Sequence, residues 1–148
     1  MLAFAEFLAC GQVRKKYQYW TDTKTRMKTI LITGSTDGIG KILAMRLASE
    51  GHHVLLHGRI PEKLESSLAE IRAYSNADLI KGYQADFADL NAVKLLAKQV
   101  EADCPKLDVL INNAGIFNTA QPRTASGLDI RFSVNYLAPY LLTQCLLP

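Results

Sequence analysis

The residues best suited to chemistry in this chain are three glycines. Gly34, Gly38 and Gly40 stand in the stretch Thr29–Lys41, which reads TILITGSTDGIGK. A glycine-rich turn that ends a strand and opens a helix presents unpaired N–H groups and the positive end of the helix dipole, a setting that suits a phosphate. A Cβ in such a turn would obstruct it and hold a pyrophosphate away from the backbone. The competing reading is an ordinary strand–helix turn whose glycines fall there by chance. Spacing narrows the chemistry. A G-x-x-x-x-G-K-[ST] loop needs its first glycine one residue later than Gly34, and Ile42 stands where that loop needs a Mg²⁺-binding hydroxyl, so an NTPase is disfavoured. The G-x-G-x-x-G fingerprint does not fit either, because the glycines run G-x-x-x-G-x-G.

Three more places carry residue types that could meet a nucleotide. NAD-binding folds place an acid ~20 residues past the glycine loop, where it accepts from the ribose 2′-OH. Here that region holds Gly58 and Arg59. The planar fork of an arginine pairs with a 2′-phosphate, so these residues favour NADP(H) over NAD(H), against the alternative of a solvated surface arginine. Asp86, inside DFAD, follows a predicted strand and so lies on the edge where open α/β sheets bind ligands. Asn112-Asn113-Ala114-Gly115 leaves another predicted strand, and its small residues allow backbone and amide groups to approach a flat ring.

The elements that must position these residues alternate along the chain. Thr29–Ile32, His53–His57 and Leu107–Ile111 are apolar runs of the kind that form strands buried on both faces of a parallel sheet. Ala77–Gln84 reads as a weaker strand at an edge, since Lys81 and Gly82 interrupt it. Helical patterns lie between them: from Lys41 to Gly51, from Pro61 to about Tyr74, and over Leu90–Val100 with Asp89 as N-cap. Ser126-x-x-Asp129 reads as a capping box opening a last helix that runs through Asn135 to Leu146. That helix is apolar on more than one face and is expected to be buried on more than one side. A β-α-β-α-β-α-β-α series of this kind predicts a Rossmann-type doubly wound parallel α/β sheet with strand order 3-2-1-4.

Composition restricts the class. The 148 residues are 49% apolar and 21% charged, a globular balance. Cys10, Cys104 and Cys145 are odd in number and far apart, which predicts reduced thiols in a cytoplasmic protein and no metal site. Of the 17 basic and 14 acidic residues, five and two fall in residues 1–26, so the body is neutral and offers no basic face for nucleic acid. Leu2–Cys10 is apolar apart from Glu6, with Arg14–Lys16 behind it. A membrane span needs ~20 apolar residues and a signal peptide carries its charge ahead of the apolar run, so neither is expected. Residues 1–26 read as an N-terminal extension that is not native, with Met27 immediately before the first strand; a weak surface-binding helix is the alternative.

Taken together, TGSTDGIG, DFAD, NNAG and SVNY in this order resemble the N-terminal part of the short-chain dehydrogenase/reductase family, over Met27 to Pro148. The wording around them (GIGK, PKLDVLINNAG, VNYLAPYLLT) is similar to the retinol-dehydrogenase-like branch and its bacterial relatives. The resemblance implies that Gly34, Ser35, Thr36, Gly38, Ile39 and Gly40 wrap the pyrophosphate and adenosine ribose. It implies that Asp86 contacts adenine, that Asn113, Ala114 and Gly115 line the adenine and ribose side, and that Asn112 braces the sheet. Asn135 then resembles the asparagine of the catalytic set, which bends its helix and holds a proton-relay water. Asp37 counts against the NADP(H) preference, since some NADP-preferring relatives carry a basic residue there.

The chain departs from the family where the chemistry is done. In the family, a lysine four residues after a tyrosine lowers a phenol pKa that is ~10 in water, so that the tyrosine passes a proton as hydride moves. None of Tyr17, Tyr19, Tyr74, Tyr83, Tyr136 and Tyr140 is followed at that spacing by lysine. The resemblance therefore implies the cofactor-binding half of an oxidoreductase acting on a small carbonyl or alcohol, homo-oligomeric at full length, with the sheet cut short after the fourth strand and its helix. The competing reading, from a different class, is a non-catalytic short form that binds nucleotide or a full-length relative.

Overall fold

A computed structural model describes residues 26–147. The expectations for the N-terminal stretch, including Cys10, Tyr17 and Tyr19, concern residues 1–25 and lie outside the described residues. Four parallel strands form one sheet in the order β3-β2-β1-β4, with β1 at Thr29–Ile32, β2 at His53–Gly58, β3 at Ile80–Gln84 and β4 at Val109–Ile111. The register sets Ile30 beside Val54 and Val109, and Leu31 beside Leu55 and Leu110.

The apolar runs follow from burial on both faces. Ile30, Ile32, Val54, Leu56 and Ile80 pack on one side against helices α1 (Gly38–Ser49) and α2 (Pro61–Ala73). Leu31, Leu55 and Tyr83 pack on the other against α3 (Leu90–Asp103) and the C-terminal helical segment. Side chains alternate across a strand, so only a strand covered twice can be apolar at every position. The chain moves outward from β1 to β2 to β3 and then returns to the far side of β1. That reversal leaves a crevice at the carboxyl ends of β1 and β4, where open α/β sheets take their ligands.

Several boundaries differ from the sequence reading, each for a local reason. Helix α1 starts at Gly38 rather than Lys41, because Asp37 caps it, its carboxylate accepting from the Gly38 N–H at 2.8 Å. Strand β3 begins at Ile80, since Ala77–Leu79 forms a 3₁₀ turn closed by the Leu79 N–H on the Asn76 carbonyl at 3.0 Å. Strand β4 shortens to Val109–Ile111, and the Asp108 carboxylate receives the Thr29 N–H at 3.0 Å. The Ser126-x-x-Asp129 box does not form. Asp129 caps the helix itself, accepting from the Arg131 and Phe132 N–H groups, while the Ser126 hydroxyl lies 2.9 Å from that of Thr124. The final helix is not one uniform α-helix: α4 (Ile130–Phe132) passes into a π turn (Ser133–Leu137) and then into α5 (Ala138–Leu146).

No helix among the described residues is long and apolar enough to cross a membrane.

Candidate dinucleotide cleft

The glycine loop and the NNAG loop are built as one unit. Thr33, 1% exposed at the end of β1, accepts through Oγ1 from the N–H groups of Asn113 and Ala114, both at 3.0 Å. The Asn113 amide returns the contact, donating to the Thr33 and Gly34 carbonyls, both at 2.9 Å. The two loops come close enough that Gly34, at φ +62°, would bring a Cβ within 2.8 Å of the Ala114 backbone. A Cβ on Gly40 would meet the Gly34 carbonyl and the Asn113 amide. Any larger residue at either position would force the loops apart.

This crossing forms the floor of a cleft of about 630 Å³ along the carboxyl edge of the sheet. Its lining includes Gly34, Thr36, Gly38, Ile39 and Gly40 from the first loop, Arg59 from the second, Asp86 from the third, and Asn113, Ala114 and Gly115 from the fourth. Ten of the twelve residues singled out from the sequence therefore share one cavity. Ser35 is an exception. It is fully buried and faces β2, its N–H donating to the His57 carbonyl and its hydroxyl accepting from the His57 N–H, both at 2.9 Å. Ser35 therefore holds the loop from inside.

Asn135 also stands outside the lining, one residue beyond Val134, which belongs to it. Its side chain bridges the backbone of Ile116, accepting from the N–H and donating to the carbonyl, both at 2.8 Å. The π turn carries Asn135, and Pro139 follows four residues later without an N–H. The Asn135 carbonyl thus lacks its ordinary α-helical donor. Asn112 ties the neighbouring loop to α5, donating to the Thr143 hydroxyl at 3.1 Å.

The lining also includes residues that the sequence did not mark as ligand-facing, among them His57, Phe87 and Lys63. His57 stands one residue before the end of β2 and is 3% exposed, with its ring stacked on Phe87 at 4.3 Å between centroids. Its Nδ1 accepts from the Gly34 N–H at 3.1 Å, which leaves the proton on Nε2, 3.1 Å from the Ala85 carbonyl. One neutral imidazole thereby joins the ends of β1, β2 and β3. Burial pushes its pKa down to about 4. A histidine inside the apolar run HVLLH was the available signal. Asp37 is held below the ordinary carboxylate range first by the Gly38 N–H and then by Lys63, whose ammonium lies 3.4 Å away.

The cleft fits a dinucleotide phosphate on its own geometry. Gly38, at φ +53°, has open space where a Cβ would stand, so a ligand can reach the backbone there. Ile39 and Gly40 follow in the first turn of α1, whose N–H groups have no partner inside the helix.

Comparison with known proteins agrees with this geometry. The family model for short chain dehydrogenases matches residues 28–148. Retinol dehydrogenase 13 of Mus musculus is 35% identical over 120 residues, covering 81% of this chain and 36% of that protein. Among solved structures, a metagenomic short-chain oxidoreductase in complex with NADP aligns at TM-score 0.67 and 32% identity, over 80% of this chain and 54% of the other. A short-chain dehydrogenase from Sphingobium yanoikuyae in complex with NADPH aligns at TM-score 0.69 and 29% identity, over 81% of this chain and 47% of the other. The chain thus spans about a third to a half of the proteins it matches.

Proposed function

The chain belongs to the short-chain dehydrogenase family, and on that premise we propose that it is the cofactor-binding part of an NADP(H)-dependent oxidoreductase that reduces a carbonyl or oxidises an alcohol. The observation that carries this reading is the cleft itself. Four strand ends converge on it, a glycine loop opens a helix into it, and among the described residues its lining cations are Arg59 and Lys63. The relatives with NADP or NADPH bound support the same cofactor class.

When bound, NADP(H) supplies the hydride chemistry, and the residues of this chain bind and orient it. The Gly38–Gly40 turn would take the pyrophosphate on backbone N–H groups, with Gly34 and Thr36 alongside. Arg59 would pair with the 2′-phosphate through its guanidinium, which makes no ion pair among the described residues. Asp86 keeps one carboxylate oxygen on the Ala88 N–H at 2.9 Å, and the other would accept from the adenine amine. Asn113, Ala114 and Gly115 would flank the adenosine. Asn135, with its side chain committed to Ile116 and its carbonyl lacking an α-helical donor, would hold a water for proton relay.

The proton donor itself is assigned to a Tyr-x-x-x-Lys segment outside these residues, because no tyrosine here carries a lysine at that spacing. The test is to read the coding sequence beyond Pro148 and to assay its product with NADPH and simple ketones. A downstream Ser and Tyr-x-x-x-Lys with NADPH oxidation is expected. A stop codon with no such segment would remove the enzyme reading.

A further inference from the structure

Asp37 poses an electrostatic problem for the cofactor reading, since it sets a carboxylate at the rim of a cleft meant for phosphates. The packing of α2 shows how that charge is held. Three residues on one face of α2, spaced three and four apart, reach the start of α1. The Lys63 ammonium is 3.4 Å from the Asp37 carboxylate, the Ser67 hydroxyl donates to the Thr36 carbonyl at 3.2 Å, and Glu70 meets Lys41 at 2.6 Å. Ser67 is 2% exposed, so this face of α2 is fixed against the glycine loop. Lys63 is consequently anchored one turn from a buried contact, with its charged end at the cleft.

The lining residues carry two cations, Arg59 and Lys63, and two acids, Asp37 and Asp86. The Asp37–Lys63 pair is long and exposed, with side chains 82% and 56% accessible, so it holds Lys63 weakly. Asp37 keeps a second partner in the Gly38 N–H at 2.8 Å and stays capped if the lysine leaves. A phosphate monoester carries ≈ −1.5 to −2 charge and three acceptor oxygens, and it competes for an ammonium better than one solvated carboxylate. Arg59 lies four residues before Lys63, at the end of β2, where the ribose 2′ position of a bound dinucleotide falls.

We propose that Lys63 is a second specificity-determining cation of this site, leaving Asp37 to pair with the 2′-phosphate alongside Arg59. The inference rests on the cofactor reading above and adds to it how the rim acid is accommodated.

Adenosine 2′,5′-bisphosphate and AMP test it, because they differ only in the 2′-phosphate and need no nicotinamide pocket. Their dissociation constants are measured on the full chain by ligand-observed NMR titration, for the wild type, Lys63→Met, Asp37→Asn and the double variant. Asparagine caps a helix as well as aspartate, so Asp37→Asn removes the charge and keeps the cap. The wild type should prefer the bisphosphate. Lys63→Met should reduce that preference about five- to tenfold with AMP affinity unchanged, and Asp37→Asn should strengthen bisphosphate binding. An unaltered preference in Lys63→Met would overturn the inference. So would full restoration of the preference in the double variant, which would show that Lys63 only neutralises Asp37. A wild type that binds neither nucleotide would instead overturn the cofactor reading, and the inference with it.

Discussion

Arg59 and His57 stand two residues apart and act on the cleft in opposite ways. Arg59 is exposed and makes no ion pair among the described residues, which leaves its charge available to a ligand. Arg59→Ala should weaken NADPH binding by roughly 1.5–3 kcal/mol and leave NADH nearly unchanged, as measured by titration of both cofactors. Equal losses would show that the arginine only supports the fold. His57 is buried and neutral, and its pKa falls from 6.5 to about 4. Between those values the unfolded chain binds a proton that the folded chain refuses. Its stabilisation is therefore complete above pH 6.5 and is lost as pH falls towards 4, by about 3 kcal/mol in total. Urea midpoints across this range should lose that part of their pH dependence in His57→Gln. Part of the remaining slope would come from His53, whose pKa is also lowered by burial, and at the acid end part would come from carboxyls such as Asp108 and Asp129, held below their ordinary range. Arg59's place on the cleft was legible in the sequence because it stands at the end of a strand where an acid is expected. That of Lys63 was not, because it depends on which face of α2 packs against the glycine loop.

At the scale of elements, the crossing of the first and fourth βα loops gives the cleft its shape. Thr33 makes that crossing with one hydroxyl. Thr33→Val keeps the β-branched shape and removes the acceptor, leaving the Asn113 and Ala114 N–H groups without their partner. A loss of about 1–3 kcal/mol in urea-unfolding free energy is expected, together with weaker nucleotide binding. A variant as stable as the parent would show that the loops are held by the Asn113 amide alone. Strands β1 and β2 were readable because strands covered on both faces stay apolar throughout, as in TILI and VLLH, while the order 3-2-1-4 followed from the Rossmann-type assignment. Reading failed where a side chain competes with the backbone ladder or the α-helix. Asp108 takes the Thr29 N–H just before β4, and Asn135 and Pro139 sit in and just after a π turn that periodicity cannot reveal. The predicted capping box failed similarly, because its serine found a nearer hydroxyl at Thr124.

The described molecule presents two surfaces that ordinarily need cover. Strand β4 pairs only with β1 among the described residues, and its three residues are each partly exposed. Beside it, Phe132, Tyr136 and Tyr140 are 49%, 61% and 60% exposed along one helical stripe, the first two stacked at 5.3 Å. Each large apolar side chain left in water forgoes about 1.5–3 kcal/mol of burial, and an open strand edge invites pairing. The 148-residue chain made alone should therefore self-associate, turn over no ketone, and gain little thermal protection from NADPH. Sedimentation equilibrium checks the first point, and a monomer with a sharp, NADPH-shifted melting transition would contradict it. On the proposed function, these residues build the adenosine side of an NADP(H) cleft. Saturation-transfer NMR on NADPH in the presence of the chain tests this, since it reads weak binding even to an associated protein. Strong transfer to the adenine and its ribose protons, weak transfer to the nicotinamide, and displacement by adenosine 2′,5′-bisphosphate are expected. No transfer, or transfer led by the nicotinamide, would contradict it.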